Sequence, residues 1–420
     1  MIPEFIKSDF YKNVVTLIGG TGVAQIIPIA ISPVLTRIYS PDEFGLLAFY
    51  ASFVAIIGVV ATGRYEMAIL IPDSLRKAKN LAAFSFLIVG VVAALSFIIL
   101  ALFGNIILDF LGFGEFTLLS FLIPAGILLI ASFQVFIYLL NRIKNYKGIA
   151  TAKITRSFGG SGFQLLFGYT GLTTYGLIIG KLIGDVLSTI YGWWLTQKAE
   201  RLKRIPLIWL DMKKESWMYR EFPKVNAPHA LTNTSSSNLP NILLAAFFSP
   251  AIAGFYSLSH RVCFAPITLI SSSVQQVYSR SLTEKHNDEK NIHTFTVSVF
   301  KQLAIIGIIP FGILLIFAPD LFELIFGENW REAGVYSQIL TPFLFLVFVI
   351  SPLTYVPLLL NRQRKAFLID IIYLVLRVLA LGAGLWLGSV IIAIIAFSAV
   401  GVLVQIYLLF WILSLTKSTR

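Results

Sequence analysis

The sequence predicts an all-α membrane protein with about twelve transmembrane helices in two six-helix lobes. Hydrophobic residues make up 57% of the 420 residues and charged residues 13%, whereas soluble domains are about 25% charged. The apolar residues occur in runs such as 81–103 and 390–413, and a helix needs ~20 such residues to cross a bilayer. A Ser-Pro motif recurs near the middle of the chain, which indicates an internal repeat.

Hydropathy predicts the helices in chain order. The predicted spans are 13–38, 44–68, 81–103, 116–140, 149–169, 174–197, 225–247, 252–277, 295–318, 333–360, 366–386 and 390–415. The first span follows Lys7 and Lys12, as the apolar run of a signal peptide would. It contains Gln25 and Pro28 and leads directly into a second span, so we expect it to be retained.

Three regions are predicted: an N-terminal lobe over 1–200, a cytoplasmic amphipathic linker over 201–224, and a C-terminal lobe over 225–420. The linker combines basic residues with tryptophans, which is typical of a segment lying on a membrane surface. YSPDEFG (39–45) follows the first span and FSPAIAG (248–254) follows the seventh. This spacing predicts that the lobes are parallel repeats, an arrangement found in transporters with a central site.

The positions of the basic residues predict the orientation. The N-terminus, the alternate loops and the C-terminus hold 24 of the 33 Lys and Arg residues, and the other loops hold only Arg331, with Arg37 at a helix end. Short basic loops stay in the cytoplasm, so both termini are predicted to be cytoplasmic. Because topology explains most of the +12 net charge, and no basic water-exposed domain is visible, nucleic-acid binding is not expected.

Some charged residues lie inside the predicted spans, where an ionised group costs ~2.5–3.5 kcal/mol and normally faces water or a partner. They are Arg64, Lys153, Arg156, Lys181, Arg261, Lys301, Arg377, Glu66, Asp185 and Asp370. Three of the cations are near cytoplasmic ends, where reaching out to the interface is an equal alternative to a functional role: Arg64, Lys153 and Lys301. The other four are predicted to line a water-filled lumen.

Spacing along the helices predicts some of the partners. Lys181 and Asp185 are four residues apart and share a face, so they are able to neutralise one another. Asp370 and Arg377, seven apart, also fall on one face. Arg64 and Glu66 are two apart and point to nearly opposite faces of a helix, so we expect them to have separate partners.

Polar stripes on two helices support a cavity. The first helix carries Thr21, Gln25, Pro28 and Ser32 on one face, and the seventh carries Asn226, His229, Asn233, Ser237 and Asn241. The alternative is that these residues mediate packing between helices.

The stretch 12–72 resembles the N-terminal signature of bacterial O-antigen and polysaccharide flippases of the multidrug/oligosaccharidyl-lipid/polysaccharide (MOP) exporter superfamily. The matching elements are PVLTRIYSPDEFG (33–45) and TGRYE (62–66). The resemblance implies a V-shaped fold of two lobes in the inner membrane. It also implies flipping of a polyprenyl-pyrophosphate-linked oligosaccharide to the outer leaflet, driven by a proton or sodium gradient without a cofactor.

The basic surplus predicts a cavity that attracts phosphate, for which the planar guanidinium of Arg is well suited. We expect the head group to contact Arg261, Arg377, Lys181 and Arg156, and the sugars to contact Asn226, His229 and Asn233. Ion coupling or gating is assigned to Asp185, Asp370, Arg64, Glu66 and Gln25. The expected partners are the lipid-linked oligosaccharide, membrane lipids and other polysaccharide assembly proteins.

Two other functions are considered. A drug exporter of the same superfamily shares the fold, but cationic drugs require an acidic cavity. A membrane polysaccharide polymerase or glycosyltransferase binds similar lipids, but it needs large water-facing loops with catalytic groups, and the longest outer loop, 319–332, is short. Motifs for metal ligation, a nucleophile elbow or phosphate cradling are not recognised in the sequence, so we do not expect an enzyme.

Overall fold

The computed structural model describes residues 9–199, 206–288 and 291–417, with side chains from residue 19 onward. In these ranges every regular element is a helix. Eight of the described helical segments are long and apolar enough to cross a membrane. Large apolar side chains such as Leu102, Ile106 and Ile309 are exposed on them, which a helix tolerates where it faces lipid. The chain is therefore a multi-pass membrane protein.

The helices match the predicted spans in order. The first group is α1 (Asp9–Ile38), α2 (Pro41–Gly58), α3 (Tyr65–Ala68), α4 (Leu75–Phe110), α5 (Leu119–Arg142), α6 (Tyr146–Tyr169), α7 (Thr173–Lys198) and α8 (Trp209–Met218). The second group is α9 (Ala227–Phe247), α10 (Pro250–Asn287), α11 (Ile292–Phe326), α12 (Arg331–Ile350), α13 (Tyr355–Leu359), α14 (Gln363–Trp386) and α15 (Val390–Lys417).

The chain divides into two compact units, Met1–Asn238 and Leu239–Arg420, with the division inside α9. The predicted limits of 1–200, 201–224 and 225–420 stay a prediction. Within the first unit α4 packs on α5, α6 on α7, and α5 on both α2 and α7. Within the second unit the corresponding helices pack in the same pairs: α11 on α12, α14 on α15, and α12 on both α10 and α15.

The repeated Ser-Pro motif has one structural role in both units. Ser40 caps α2 by accepting a hydrogen bond from the amide of Glu43, and Ser249 caps α10 by accepting one from the amide of Ile252. The proline that follows each serine occupies the first helical turn, where no intrahelical donor is lost. The motif therefore begins the second long helix of each unit.

The second predicted span, 44–68, is wrong as a continuous helix. Helix α2 ends at Gly58, and Gly63 and Arg64 both adopt the left-handed conformation, with φ of 61° and 59°. A non-glycine residue pays a conformational cost there, so the surroundings must hold Arg64 in place. Tyr65, Ala68 and Ile69 supply that support by packing into a buried cluster with α4 and α5.

The predicted tenth span is also interrupted. Between α12 and α13 the chain forms a 3₁₀ turn over Ser351–Thr354, with Pro352 in its first turn. Proline lacks the amide donor of a continuing α-helix, which accounts for the change in helix type.

The long helices that fall outside the eight apolar segments are α6, α7, α9 and α10. They are 21 to 38 residues long, so composition and not length sets them apart. These four helices carry half of the predicted site residues, namely Arg156, Lys181, Asp185, His229, Asn233 and Arg261. The other predicted site residues lie on α1, α14, the π-helical turn before α9 and the segment around α3.

Candidate functional site

The main candidate site in the first unit is a carboxylate held by two cations. Asp185 on α7 accepts from Arg156 on α6, with Nε–Oδ1 at 2.5 Å, and its other oxygen lies 3.5 Å from Nζ of Lys181. The side chain of Asp185 is 1% exposed, whereas those of Arg156 and Lys181 are 26% and 28% exposed. This arrangement, called the Asp185 cluster below, buries its anion and presents its cations with a net positive charge.

Close packing of α6 against α7 brings Arg156 to Asp185. A Cβ on Gly184 would lie 2.5 Å from the carbonyl oxygen of Arg156, and one on Gly180 would lie 2.6 Å from the amide nitrogen of Gln164. Small residues on one face allow membrane helices to approach in this way. The four-residue glycine spacing of α7, from Gly176 to Gly184, is a sequence signal for this contact that the pattern of charges does not contain.

Other polar groups adjoin the Asp185 cluster. Lys153, one turn from Arg156 on α6, donates to the hydroxyl of Thr21 on α1 at 3.1 Å. The guanidinium of Arg156 also lies 5.3 Å from the ring centre of Phe133. The sequence did not reveal the buried hydroxyl of Tyr50, which interacts electrostatically with Asp185 and Arg156. The first unit therefore gathers cations from α6 and α7 around the buried carboxylate of Asp185.

The polar stripe of the first helix divides between two environments. Ser32 is buried and donates to the carbonyl of Ile29 at 2.5 Å, while Gln25 is exposed. Thr21 is engaged with Lys153. Ser32 is thus buried, as the packing alternative expects, and Gln25 is the most exposed member of this stripe.

The stripe of the seventh helix is largely exposed. His229, Asn233 and Ser237 are exposed on α9, and Asn226 precedes them as the last residue of a π-helical turn over Phe222–Asn226. Ser237 donates to the carbonyl of Asn233 at 3.2 Å. The amide side chain of Asn233 stays accessible for a polar ligand.

In the second unit Arg377 is enclosed by aromatic rings. Its guanidinium carbon lies 4.0, 4.6 and 5.2 Å from the ring centres of Tyr373, Phe397 and Phe343. Arg377 is 9% exposed, so it lies within the helix packing and not on an open wall. The electron-rich faces of the rings stabilise the cation. Asp370, two turns before Arg377 on the same helix, acts electrostatically on Tyr373.

Arg261 on α10 has a different environment. It is half-buried, and it forms no hydrogen bond or ion pair with any residue that the structure describes. The neighbouring His260 stacks on Phe264 with ring centres 4.7 Å apart. The charge of Arg261, unlike that of the ring-enclosed Arg377, is thus available to an anionic ligand.

Arg64 and Glu66 form an ion pair, so the prediction of separate partners is wrong. Nη1 of Arg64 lies 3.4 Å from Oε1 of Glu66, and Thr62 donates to the other oxygen of Glu66. The prediction assumed a regular helix, whereas the left-handed conformation of Arg64 turns its side chain back towards Glu66. This segment lies outside the membrane-spanning helices, and burial raises the pKa of the Glu66 carboxyl, against the opposing effects of Thr62 and Arg64.

Comparison with known proteins gives a match to a family model and to a curated relative. A family model described as polysaccharide biosynthesis protein matches residues 34–335. The teichuronic acid biosynthesis protein TuaB of Bacillus subtilis is 25% identical over 228 residues, which is 54% of this chain and 47% of that protein. The matched region thus spans about half the length of that curated relative.

Solved structures share the fold. The lipid II flippase MurJ in an inward closed conformation matches with a TM-score of 0.74 at 13% identity, over 97% of this chain and 90% of MurJ. An inward-facing multidrug resistance MATE transporter of the MOP superfamily matches with a TM-score of 0.65 at 13% identity, over 96% of both chains. A MOP transporter from Pyrococcus furiosus matches with a TM-score of 0.62 at 14% identity, over 99% of this chain and 97% of that transporter. The fold is therefore the two-lobe fold of MOP exporters.

Proposed function

Because the chain belongs to the polysaccharide biosynthesis protein family, we propose that it flips a polyprenyl-pyrophosphate-linked oligosaccharide across the bacterial inner membrane. The substrate is an O-antigen unit or a related surface-polysaccharide repeat unit, and it moves from the cytoplasmic to the outer leaflet. Both termini are cytoplasmic in this proposal. A proton or sodium gradient drives the cycle.

The observation that carries this proposal is the Asp185 cluster. Its cations are partly exposed and its carboxylate is buried, so an incoming anion meets positive charge first. A pyrophosphate accepts paired hydrogen bonds from a guanidinium and an additional one from an ammonium. Arg156 and Lys181 therefore hold the head group, in competition with Asp185.

The same competition provides a route for coupling. When a proton or a sodium ion binds Asp185, the carboxylate no longer neutralises Arg156 and Lys181, and the affinity of these cations for phosphate rises. When the ion leaves, the carboxylate recovers its cations and the head group is released. Binding of ion and substrate then favours one state of the transporter over the other.

The remaining predicted residues have secondary roles in this proposal. In the second unit Arg261 and Arg377 supply cations for the head group, and Asp370 serves ion coupling or gating. Asn226, His229 and Asn233 contact the sugars, with Gln25 on α1 as a further polar contact. The Arg64–Glu66 pair acts as a cytoplasmic-side latch that opens when one of its charges is neutralised.

Expression in a bacterial strain that lacks its own flippase tests the proposal, with surface polysaccharide measured at equal protein level. The double variant Arg156→Gln/Lys181→Gln is expected to lower the polysaccharide at least tenfold, because it removes the cations that bind phosphate. Arg331→Gln is the matched control, since this exposed arginine pairs with Asp320 and Glu323 outside the cluster. Full polysaccharide output from the double variant would overturn the assignment.

The similarity of the fold to a MATE transporter keeps a drug exporter as the second candidate. Expression of the wild-type chain in drug-sensitive cells separates the two functions. We expect no gain of resistance to cationic drugs, because the Asp185 cluster repels them. A gain of resistance that Arg156→Gln leaves intact would favour the exporter.

A further inference from the structure

Helix α8 has a buried face and a face that combines aromatic and basic residues. Its buried face consists of Met212, Glu215 and Ser216. The residues of the other face are exposed and have either large apolar or cationic side chains. They are Trp209, Leu210, Lys213, Lys214, Trp217 and Met218. Such a face is suited to the boundary between lipid head groups and acyl chains.

Polar contacts attach α8 to the first unit. Arg76, in the first turn of α4, donates to Oδ2 of Asp211 at 2.6 Å. The hydroxyl of Tyr65 on α3 donates to the carbonyl oxygen of Ser216 at 3.1 Å. These contacts lie on either side of the middle of α8, so they fix its position against α3 and α4.

A cavity of about 780 Å³ lies between α8, α3 and α4. Its lining residues are Tyr65, Phe84, Trp209, Leu210, Lys213, Lys214, Ser216, Trp217 and Arg220. Tyr65 and Phe84 are the most buried of its aromatic residues and meet edge to face with ring centres 5.3 Å apart. The volume falls within the range of pockets that enclose a small ligand.

The charge of this cavity is positive. Lys213 and Lys214 are exposed, and the guanidinium of Arg220 lies 4.3 Å from the ring centre of Trp217. In the described part of the chain no carboxylate lines the cavity. The neighbouring carboxylates pair with other cations or lie on the buried face of α8.

The positions of these neighbouring carboxylates explain why they do not neutralise the cations of the cavity. Asp211 pairs with Arg76, and Glu221 lies 3.9 Å from Lys224. Glu215 is on the buried face of α8. The cations of the cavity are therefore free to attract an anion from outside.

We propose that this cavity binds the head group of an acidic phospholipid of the phosphatidylglycerol class. The basic loops predict that this end of the first unit faces the cytoplasm, so the lipid belongs to the inner leaflet. Lys213, Lys214 and Arg220 bind the phosphodiester, because clustered cations next to a membrane surface attract anionic lipids. Trp209 and Trp217 pack on the glycerol and the first methylenes, since indole rings prefer that depth.

The bound lipid holds α8 against the first unit. Tyr65 lines the cavity and is flanked in the chain by the paired Arg64 and Glu66. Occupancy of the cavity thus supports the short helix α3 and the ion pair beside it. This inference does not depend on the identity of the transported substrate.

The test uses the purified full chain in nanodiscs of phosphatidylcholine with increasing phosphatidylglycerol, and native mass spectrometry counts the acidic lipids that stay bound. The variant Lys213→Gln/Lys214→Gln/Arg220→Gln is expected to bind phosphatidylglycerol at its tightest site with an affinity at least roughly tenfold lower than that of the wild type. The matched control is Arg362→Gln/Arg364→Gln/Lys365→Gln, which removes three exposed cations at the beginning of α14, including Lys365 over the ring of Trp411. The control is expected to retain the lipid as the wild type does.

The single variant Lys214→Gln provides a second test if the triple variant misfolds. Its affinity for phosphatidylglycerol is expected to be about fivefold lower than that of the wild type. Equal retention by the wild type and by both cavity variants would overturn the proposal. An equal loss in the control would also overturn it, because the effect would then be one of total charge. Displacement of the lipid by millimolar inorganic phosphate would show a general phosphate site and would overturn the assignment to lipid.

Discussion

Arg156 on α6 and Asp185 on α7 form an ion pair in which the carboxylate is buried and the guanidinium is partly exposed. Burying a charge is costly unless it is paired, and here Lys181 adds a second partner to the same carboxylate. The pair therefore has a structural role, because it joins the two helices. It also leaves cationic surface available to a ligand, which is the basis of the following prediction.

Neutralising Asp185 is expected to separate substrate binding from substrate release. Asp185→Asn leaves Arg156 and Lys181 without their competing carboxylate, so a pyrophosphate-linked lipid should bind at least several-fold more tightly. Transport should fall at least tenfold and lose its dependence on the ion gradient. Binding of a lipid-linked pyrophosphate and its flipping in liposomes measure the two effects.

Asp320→Asn is the control for that substitution, because Asp320 pairs with Arg331 at an exposed position. Its transport and binding should remain at wild-type level. Gradient-dependent flipping by Asp185→Asn at the wild-type rate would exclude Asp185 from coupling.

Gly184→Ala is expected to destabilise the first unit. A Cβ at this position lies 2.5 Å from the carbonyl oxygen of Arg156, so α6 and α7 must move apart. Overpacking of this kind costs about 1–3 kcal/mol. A lower midpoint of thermal unfolding in detergent or nanodiscs checks the prediction.

The chain offers a matched glycine for comparison. A Cβ on Gly162 of α6 meets nothing within 4 Å, and alanine is a better helix former than glycine by roughly 0.5–1 kcal/mol. Gly162→Ala should therefore keep or raise the unfolding midpoint. The same loss in both variants would mean that close approach of α6 and α7 is not the cause.

The Glu66 carboxyl should make stability depend on pH. Because burial raises its pKa in the folded state, folding favours the protonated form, and stability declines as pH rises from the unfolded pKa through the folded one. Glu66→Gln keeps the shape without the ionisation. The unfolding midpoint of Glu66→Gln should therefore rise relative to that of the wild type as pH increases from about 4 to 8.

Glu284→Gln serves as the comparison for Glu66→Gln, since Glu284 forms an exposed pair with Arg280. Exposed pairs contribute about 0–1 kcal/mol, so this variant should follow the wild type closely at every pH. Parallel curves for Glu66→Gln and the wild type would contradict the effect of burial.

Replacing Arg377 by lysine is expected to destabilise the second unit while keeping the charge. The planar guanidinium stacks on the rings of Tyr373 and Phe397, and an ammonium does not reproduce that geometry. A loss of about 1–2 kcal/mol is expected in the free energy of unfolding. Arg364→Lys, at an exposed position, should show little change, and an unaltered midpoint for Arg377→Lys would argue against the aromatic enclosure.

Local features of the chain were sufficient for part of the candidate site. Lys181 and Asp185 pair as their four-residue spacing predicts, because both lie on one helix and the geometry of that helix sets their distance. Arg156 was expected in the same lumen, but its pairing with Asp185 was not predicted. That pairing joins two helices, and only the close glycine packing of α6 and α7 determines which faces meet.

The sequence alone determined the number, order and approximate limits of the long helices, since a helix in lipid must satisfy its own backbone and present apolar side chains over about 20 residues. These requirements are local, and they appear directly in composition and hydropathy. The tertiary structure decided that α2 ends at Gly58, that Arg64 turns back to Glu66, and that aromatic rings enclose Arg377. Such features depend on contacts between segments distant in the chain, so no single stretch of sequence contains them.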